Sequence, residues 1–502
     1  MARLKEYNGH YCESEYEYAF IGFLEAEGWK YSSGNNIRRI TKRDVLIADD
    51  FKKFIADTNP DLTEDEVTQI YDNVRLVGAE SDFATLHKVY GWMVNGVQFT
   101  TQDGLPRMIP LIDFDNWDKN IFRVVNQFTV EYTNNGQKEN RRPDVLLFVN
   151  GMPLCVVELK NPVDANATIY DAWEQINIRY WRDIPHLLHY CPLACISDGV
   201  KTRLGTVRTP YEHFYAWRRV NEGDVVSTLP FAETETMIKG VYTPERFVEI
   251  FRDYIYFQDS IYDSDEVEIV CRYPQFFAAK LLKQSIVNSV VTRSGKGGTY
   301  FGATGCGKTY TMAFLARQLA LRCTDIPEIG SPTIILIVDR DELQKQGSKL
   351  FTKSKEFLNL GEVSVVKNRT QLRQELGARQ SGGFYICTIQ KFCDREDDKI
   401  GLINDRQNII CFSDEAHRTQ LEHSKKIQFS KDADENMKAM VSKPYAKVLK
   451  EAFPHATFVG FTGTPIAETY QTFGDEIDRY TMDQAVADGL TVSIKYHPRI
   501  AK

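Results

Sequence analysis

RRPDVLLFVNGMPLCVVELK, residues Arg141 to Lys160, decides the reading of the first half of the chain. Two apolar runs, Val145 to Val149 and Leu154 to Val157, flank Asn150-Gly151 and predict a β-hairpin. Side chains alternate faces along a strand, so the loop length decides whether Asp144 and Glu158 share a face. An odd loop such as Asn150-Gly151-Met152, pairing Val149 with Pro153, sets them opposite each other. A two-residue Asn-Gly turn sends them to opposite faces. A shared face is what chemistry asks for, and it predicts a three-residue loop with Gly151 at positive φ, or an equivalent bulge.

That chemistry is phosphodiester cleavage, which needs two acidic ligands holding Mg²⁺ near the scissile phosphate and a cation to meet the developing charge. Asp144, Glu158 and Lys160 supply the set, and the Leu159 carbonyl offers a further oxygen to the metal. On Pro143-Asp144 and Glu158-Leu159-Lys160 the stretch resembles the PD-(D/E)xK nuclease superfamily. Downstream, Ala172 to Tyr180 (AWEQINIRY) looks like the helix that carries a Gln and a Tyr in its RecB-like branch. Gln175 and Tyr180 stand five apart where that branch has four, which leaves open which of the two acts at the site. Glu15 and Glu17 lie where such nucleases often place an extra carboxylate on the first helix; the alternative is helix charge facing solvent. That helix is predicted over 14–28, with Ala19, Phe20, Phe23 and Leu24 on its apolar stripe and Gly28 as its stop. A capping box from Thr63 to Glu66 opens another helix running to about Leu76, and Phe122 to Tyr132 reads as a strand before a polar loop.

The second half turns on GATGCGKT, Gly302 to Thr309. It follows an apolar strand and precedes a helical run, the setting in which GxxxxGK[ST] cradles phosphates. Gly302, Thr304, Gly305, Cys306 and Gly307 form the loop, Lys308 neutralises β/γ charge, and the Thr309 hydroxyl binds Mg²⁺. Asp414-Glu415-Ala416-His417 ends another strand, where Asp414 holds the magnesium shell and Glu415 orients the attacking water. Apolar segments at Thr299–Phe301, Ile334–Val338, Phe384–Cys387, Ile409–Phe412 and Thr457–Phe461 alternate with helical ones, as in a parallel sheet covered on both faces. This half resembles the first RecA-like domain of helicase superfamily 2 on DEAH, VDRDELQKQ (Val338 to Gln346), TIQKF (Thr388 to Phe392) and TGTP (Thr462 to Pro465). RYPQFFAAK (Arg272 to Lys280) looks like the adenine-reading element, with Arg272 and Gln275 as nucleotide-binding residues and Gln275 facing the base edge.

The 502 residues, 43% hydrophobic and 26% charged, suffice for two full cores. A net charge of -8 excludes a uniformly basic nucleic-acid coat and leaves local stretches such as Arg179, Arg182, Lys201 and Arg203 for DNA contact. The ten cysteines form no CxxC pair, and the patch His186, His189, Cys191, Cys195 lacks a zinc-motif spacing. No apolar run reaches membrane-spanning length and no signal-peptide core opens the chain, so a cytoplasmic protein is expected.

Together the halves resemble the restriction subunit (HsdR) of type I restriction-modification enzymes. The resemblance rests on NQFTV (Asn126 to Val130), RRPDVLLFVNGMPLCVVELKNP, SDG (Ser197 to Gly199), RYPQ, DEAHR, TGTP and DQAVADG (Asp483 to Gly489). The implied fold is α/β: a mixed-sheet PD-(D/E)xK nuclease domain at 1–240, a parallel-sheet RecA-like P-loop domain at 241–475, and the start of a connection at 476–502. The resemblance implies Mg²⁺ and ATP as cofactors and double-stranded DNA as substrate. Its implied partners are the methyltransferase and specificity subunits. Motors of this family use a second RecA-like domain of well over ~100 residues, for which the chain after Pro465 has no room. The expectation is a fragment that binds ATP, turns it over weakly or not at all, and holds its partner weakly. Alternatives are a stand-alone repair or defence helicase-nuclease, and a nucleotide-binding assembly module without turnover.

Overall fold

The computed structural model describes residues 13–78, 80–161, 168–224, 232–258, 266–338, 349–392, 400–416, 427–431, 437–441 and 445–492. The chain forms two units, residues 1–257 with 266–272, and residues 258–265 with 273–502.

The strands of the first unit are β1 (Lys30–Ser33), β2 (Val97–Thr100), β3 (Pro106–Ile109), β4 (Phe122–Asn126), β5 (Val130–Asn134), β6 (Gln137–Arg141), β7 (Val145–Val149), β8 (Met152–Leu159), β9 (Leu193–Ser197), β10 (Thr202–Thr206), β11 (Ile255–Phe257) and β12 (Glu268–Val270). Six of them form a sheet in the order β1-β4-β7-β8-β9-β10. It is mixed: β1 with β4 and β8 with β9 run parallel, and the other neighbours antiparallel. Every residue of β7 and β8 is buried, which is why both read as continuous apolar runs rather than alternating ones. Glu158 is the one charged side chain inside that run.

The hairpin solves the face problem by the second of the two expected routes. Its turn has two residues, Asn150 and Gly151, both at positive φ (50° and 77°), so the three-residue loop is not formed. Leu154 then enters β8 as the extra residue of a bulge: Phe148 pairs with Pro153, but Leu147 pairs with Cys155 and Val145 with Val157. The bulge restores the register in which Asp144 faces Glu158. Gly151 is needed twice over, for its positive φ and because a Cβ there would strike the Ile47 carbonyl.

Three other expectations shift. The first helix runs Glu13–Ala26, but its buried face carries Tyr16, Glu17, Phe20, Ile21 and Leu24, while Ala19 and Phe23 are half-buried. The strand expected over 122–132 breaks at Gln127, whose φ of 54° ends β4 before β5 begins. The polar loop after it is a second hairpin, β5 paired with β6 across Asn135-Gly136. The capping box at Thr63 and Glu66 is present and opens the helix Glu64–Arg75.

The unit boundary also lies later than residue 240. The Trp29 indole sits between Phe122 and Phe247 (centroids 5.3 and 5.4 Å) and donates to the Tyr242 carbonyl at 2.6 Å, which ties the helix Pro244–Asp253 into the first unit. β11 and β12 pair with each other and extend that unit to Arg272.

The second unit contains β13 (Lys296–Gly302), β14 (Thr333–Val338), β15 (Val363–Val365), β16 (Phe384–Thr388), β17 (Ile409–Asp414), a hairpin of β18 (Ile427–Lys431) and β19 (Met437–Val441), β20 (Thr457–Thr462) and β21 (Glu476–Tyr480). Seven strands form one sheet, β15-β16-β14-β17-β20-β13-β21, with every neighbour parallel. All five apolar segments expected from sequence are strands of it. β15 and β21 complete the sheet at its edges, so residues 476–480 are part of the domain rather than a connection out of it. A cluster including Ile335, Ile337, Leu372, Tyr385, Val448 and Phe453 builds the core on one face.

Candidate nuclease and nucleotide sites

Asp144 stands just before β7, and Glu158 and Leu159 end β8. The Leu159 N–H donates to Asp144 Oδ2 at 2.8 Å, joining the two strand ends. Glu158 is fully buried, and one of its oxygens, Oε1, accepts from the Tyr180 hydroxyl at 2.6 Å. The Lys160 ammonium lies 3.9 Å from Glu158 Oε2 and donates to Gln175 Oε1 at 3.0 Å. Gln175 Nε2 in turn donates to the Tyr180 hydroxyl at 2.8 Å. The four side chains thus form a closed ring: Lys160 to Gln175, to Tyr180, to Glu158, and back by charge.

The five-residue spacing from Gln175 to Tyr180 has a structural cause. The helix Ile169–Glu174 continues as a π-helical turn over Gln175–Tyr180, whose i→i+5 repeat brings residues five apart onto one face. The two side chains therefore meet each other, and of the two it is Tyr180 that bonds Glu158 while Gln175 bonds Lys160.

Burial, followed by repulsion from Asp144, holds the Glu158 carboxyl well above the usual carboxylate range; Lys160 and Tyr180 oppose the shift. Its Oε2 is buried with no hydrogen bond among the described residues. A desolvated carboxylate oxygen facing a second carboxylate is a donor set that a divalent cation satisfies, and Oε2, which makes no hydrogen bond and has the Lys160 ammonium at 3.9 Å, is the oxygen that would meet it. Among the described residues no group of three His, Cys, Asp or Glu side chains converges, so backbone or solvent oxygens would complete the shell.

Of the two extra carboxylates, Glu15 is half-buried and Glu17 is buried, against the expectation of a solvent-facing charge. Asn126 Nδ2 (2.6 Å) and Gln127 Nε2 (2.9 Å) donate to Glu17, and burial raises its carboxyl above the ordinary value. The cradle that Asn126 and Gln127 provide was not legible in the sequence.

In the second unit β13 ends at Gly302, the loop 303–307 turns, and the helix Lys308–Arg322 begins. Gly305 and Gly307 hold positive φ (82° and 85°). Thr304 is exposed and Cys306 buried, with its N–H on the Ala303 carbonyl at 3.1 Å. A Cβ on Gly302 would stand 3.1 Å from both Cys306 Sγ and Lys308 Cγ. Lys308 Nζ donates to the Gly302 carbonyl at 3.2 Å and lies 3.8 Å from Glu415 Oε1. Thr309 follows on the first helical turn. Asp414 ends β17, which β20 separates from β13 in the sheet; burial pushes its carboxyl up to about 6, against the pull of Lys308. Gln275 Nε2 donates to the Gly307 carbonyl at 3.3 Å, and Gly463 of TGTP would place a Cβ 3.2 Å from Thr304 Oγ1. Arg272, the last residue of the first unit, holds its guanidinium 3.6 Å over the Tyr215 ring. His417 of DEAH and residues 339–346 of VDRDELQKQ lie outside the described residues.

Two family models cover most of the chain: "type I restriction enzyme R protein N terminus" matches residues 11–213, and "SWI2/SNF2 ATPase" matches residues 274–502. The type I restriction enzyme HindI endonuclease subunit of Haemophilus influenzae is 31% identical over 96% of this chain and 46% of that protein. The chain belongs to the type I restriction endonuclease-subunit family. A Methanocaldococcus jannaschii relative, the MjaIXP endonuclease subunit, is 29% identical over 97% of this chain and 46% of its own length. The SauCOLORF180P endonuclease subunit of Staphylococcus aureus is 26% identical over 77% of this chain and 38% of its own. The chain spans about half the length, or less, of the relatives it matches.

Restriction endonuclease and ATPase families use a divalent metal and a nucleotide, and the two sites lie within the two matched segments. The basic residues expected at DNA fare unevenly in this family member. Arg179 pairs with Glu174 at 2.8 Å and Arg182 with Asp183 at 2.7 Å, Arg203 donates to the Phe214 carbonyl, and Lys201 is exposed. His189 bonds Asp82 at 2.9 Å, while Cys191 and Cys195 are buried strand and turn packing. Among the described residues no helix is long and apolar enough to cross a membrane.

Proposed function

We propose that the chain carries the Mg²⁺-dependent endonuclease and the ATP-binding part of the translocase of a type I restriction enzyme, acting on unmodified foreign double-stranded DNA. Methyltransferase and specificity subunits are its partners, and the cytoplasm is its compartment. The observation that carries this reading is the ring of Lys160, Gln175, Tyr180 and Glu158 closed around an unsatisfied carboxylate oxygen.

Asp144, Glu158 and the Leu159 carbonyl would hold Mg²⁺, which when bound supplies charge to the scissile phosphate and acidifies its water. Tyr180 fixes Glu158 by one oxygen and leaves the other for the metal. Gln175 orients Lys160, whose ammonium stabilises charge on the phosphate or orients the attacking water. In the second unit the N–H groups of the glycine-rich loop and Lys308 take the β/γ-phosphates of ATP. Thr309 and Asp414 would hold its Mg²⁺, Glu415 orients the water, and Gln275 reads the adenine edge.

The test is Mg²⁺-dependent nicking of plasmid by the whole chain beside Asp144→Ala and Lys160→Ala, with ATP binding measured in the same samples. Loss of nicking in both variants with ATP binding intact supports the reading. Nicking that survives both substitutions sinks the nuclease assignment.

A further inference from the structure

The residues after TGTP carry a contact that none of the motifs assigns. Asp488 follows the helix Met482–Ala487, its N–H on the Gln484 carbonyl at 2.9 Å. Two tyrosine hydroxyls donate to the same oxygen of its carboxylate, Oδ2: Tyr273 at 2.6 Å and Tyr480 at 2.6 Å. Both tyrosines are buried, with their rings edge to face at 6.0 Å. Charge-assisted bonds this short fix the positions of both rings.

Each tyrosine belongs to one wall of the nucleotide site. Tyr480 ends β21 beside Gly302 of β13, and its carbonyl accepts the Ala303 N–H at 2.9 Å, so it is bonded directly to the start of the phosphate loop. Tyr273 opens the helix Tyr273–Thr292, two residues before Gln275. Gln275 in turn reaches the Gly307 carbonyl from a position 2.6 Å from where a Gly307 Cβ would stand. One carboxylate thus fastens the base-side helix to the phosphate-side strand.

We propose that Asp488 is a positioning residue for nucleotide-base selection: through Tyr273 and Tyr480 it sets Gln275 at a fixed height above the phosphate loop. The proposal rests on the reading of Gln275 as the residue that meets the adenine edge. Asp488 acts through the two tyrosines. Its loss therefore moves Gln275 relative to the base while leaving the phosphate cradle, which β13 and its helix hold, in place.

The experiment is equilibrium binding of ATP and GTP by the whole chain and by Asp488→Ala, Asp488→Asn, Tyr273→Phe and Gln275→Ala. Asp488→Ala and Tyr273→Phe are expected to weaken ATP about tenfold and GTP hardly at all, since the lost contact serves the base and not the phosphates. Asp488→Asn keeps an acceptor oxygen and restores most of the ATP preference. GTP affinity is the internal measure that the phosphate loop is still folded. An ATP-to-GTP ratio that stays at the unsubstituted value in both Asp488→Ala and Tyr273→Phe overturns the proposal, whether the two affinities hold or fall together. If Gln275→Ala also keeps the preference, what fails is the base-reading role of Gln275, and the proposal falls with it.

Discussion

The two candidate sites use opposite means to hold charge. At the nuclease site the carboxylate is fully buried and its surroundings are side chains: Tyr180, Gln175 and Lys160 supply the order, and the backbone contributes one N–H, from Leu159 to Asp144. At the nucleotide site the order is in the backbone, with two glycines at positive φ, a helix start and a lysine bonded to a main-chain carbonyl. A side-chain site depends on the register of its strands, and a backbone site on the few residues that can adopt its turns. The first is fragile to a shift of one residue and the second to a single methyl group.

The largest expected effect breaks the two sites apart. Asp144→Ala should lower nicking by at least about a hundredfold while leaving ATP affinity within about twofold, and Lys308→Ala should do the reverse to ATP affinity. Plasmid nicking and nucleotide titration on the same preparations check both. Coupled losses would mean that the sites are not chemically separable. Next in size is Gly151→Val, which puts a β-branched residue at positive φ against the Ile47 carbonyl. It should cost the first unit about 3 kcal/mol or more, read as a drop in its urea midpoint with ATP affinity retained.

A smaller change sharpens the side-chain half of the comparison. Tyr180→Phe removes the hydroxyl that bridges Gln175 and Glu158 and should reduce nicking by roughly tenfold, with stability changed by about 1 kcal/mol. If nicking is untouched, the ring is packing rather than machinery. The smallest effect is one of pH. Burial holds His186 down to about 4, and His186 is neutral in the folded first unit. A depressed folded value stabilises the fold above the ordinary histidine range, and that contribution is lost as pH falls towards about 4. Urea midpoints taken from pH 7 to pH 4 should therefore fall less steeply in His186→Gln than in the unsubstituted chain.

How much of this was legible follows the same division. The strand–loop–helix setting of Gly302 to Thr309 was legible, because a glycine-rich loop is a local device whose glycines and lysine are adjacent in sequence. The stacking of Arg272 over the Tyr215 ring was not legible, since the two are far apart in sequence. That Asp144, Glu158 and Lys160 come together was also legible, but the way they meet was not. A three-residue loop and a bulge both satisfied the shared face, and the choice between them, a two-residue Asn150-Gly151 turn with a bulge at Leu154, is invisible to any pattern of period two. The hairpin across Asn135-Gly136 reads as a polar loop because the residues around it are polar, as suits strands β5 and β6, which lie outside the six-stranded sheet. Glu17 looked like surface charge because its partners, Asn126 and Gln127, are more than a hundred residues away. β21 carries no apolar run to mark it, since EIDRY is a polar edge strand.

The bulge at Leu154 also makes the hairpin obey a rule of parity. Turn length and bulge count together decide whether Glu158 looks at Asp144 or away from it, so neither can change alone. A homologue that lengthens the turn by one residue must shed the bulge, and one that keeps the two-residue turn must keep it. Insertions and deletions between the two carboxylates should therefore come in compensating pairs, and an alignment that shows a lone one-residue gap there has either misplaced the gap or found a chain that has given up cutting.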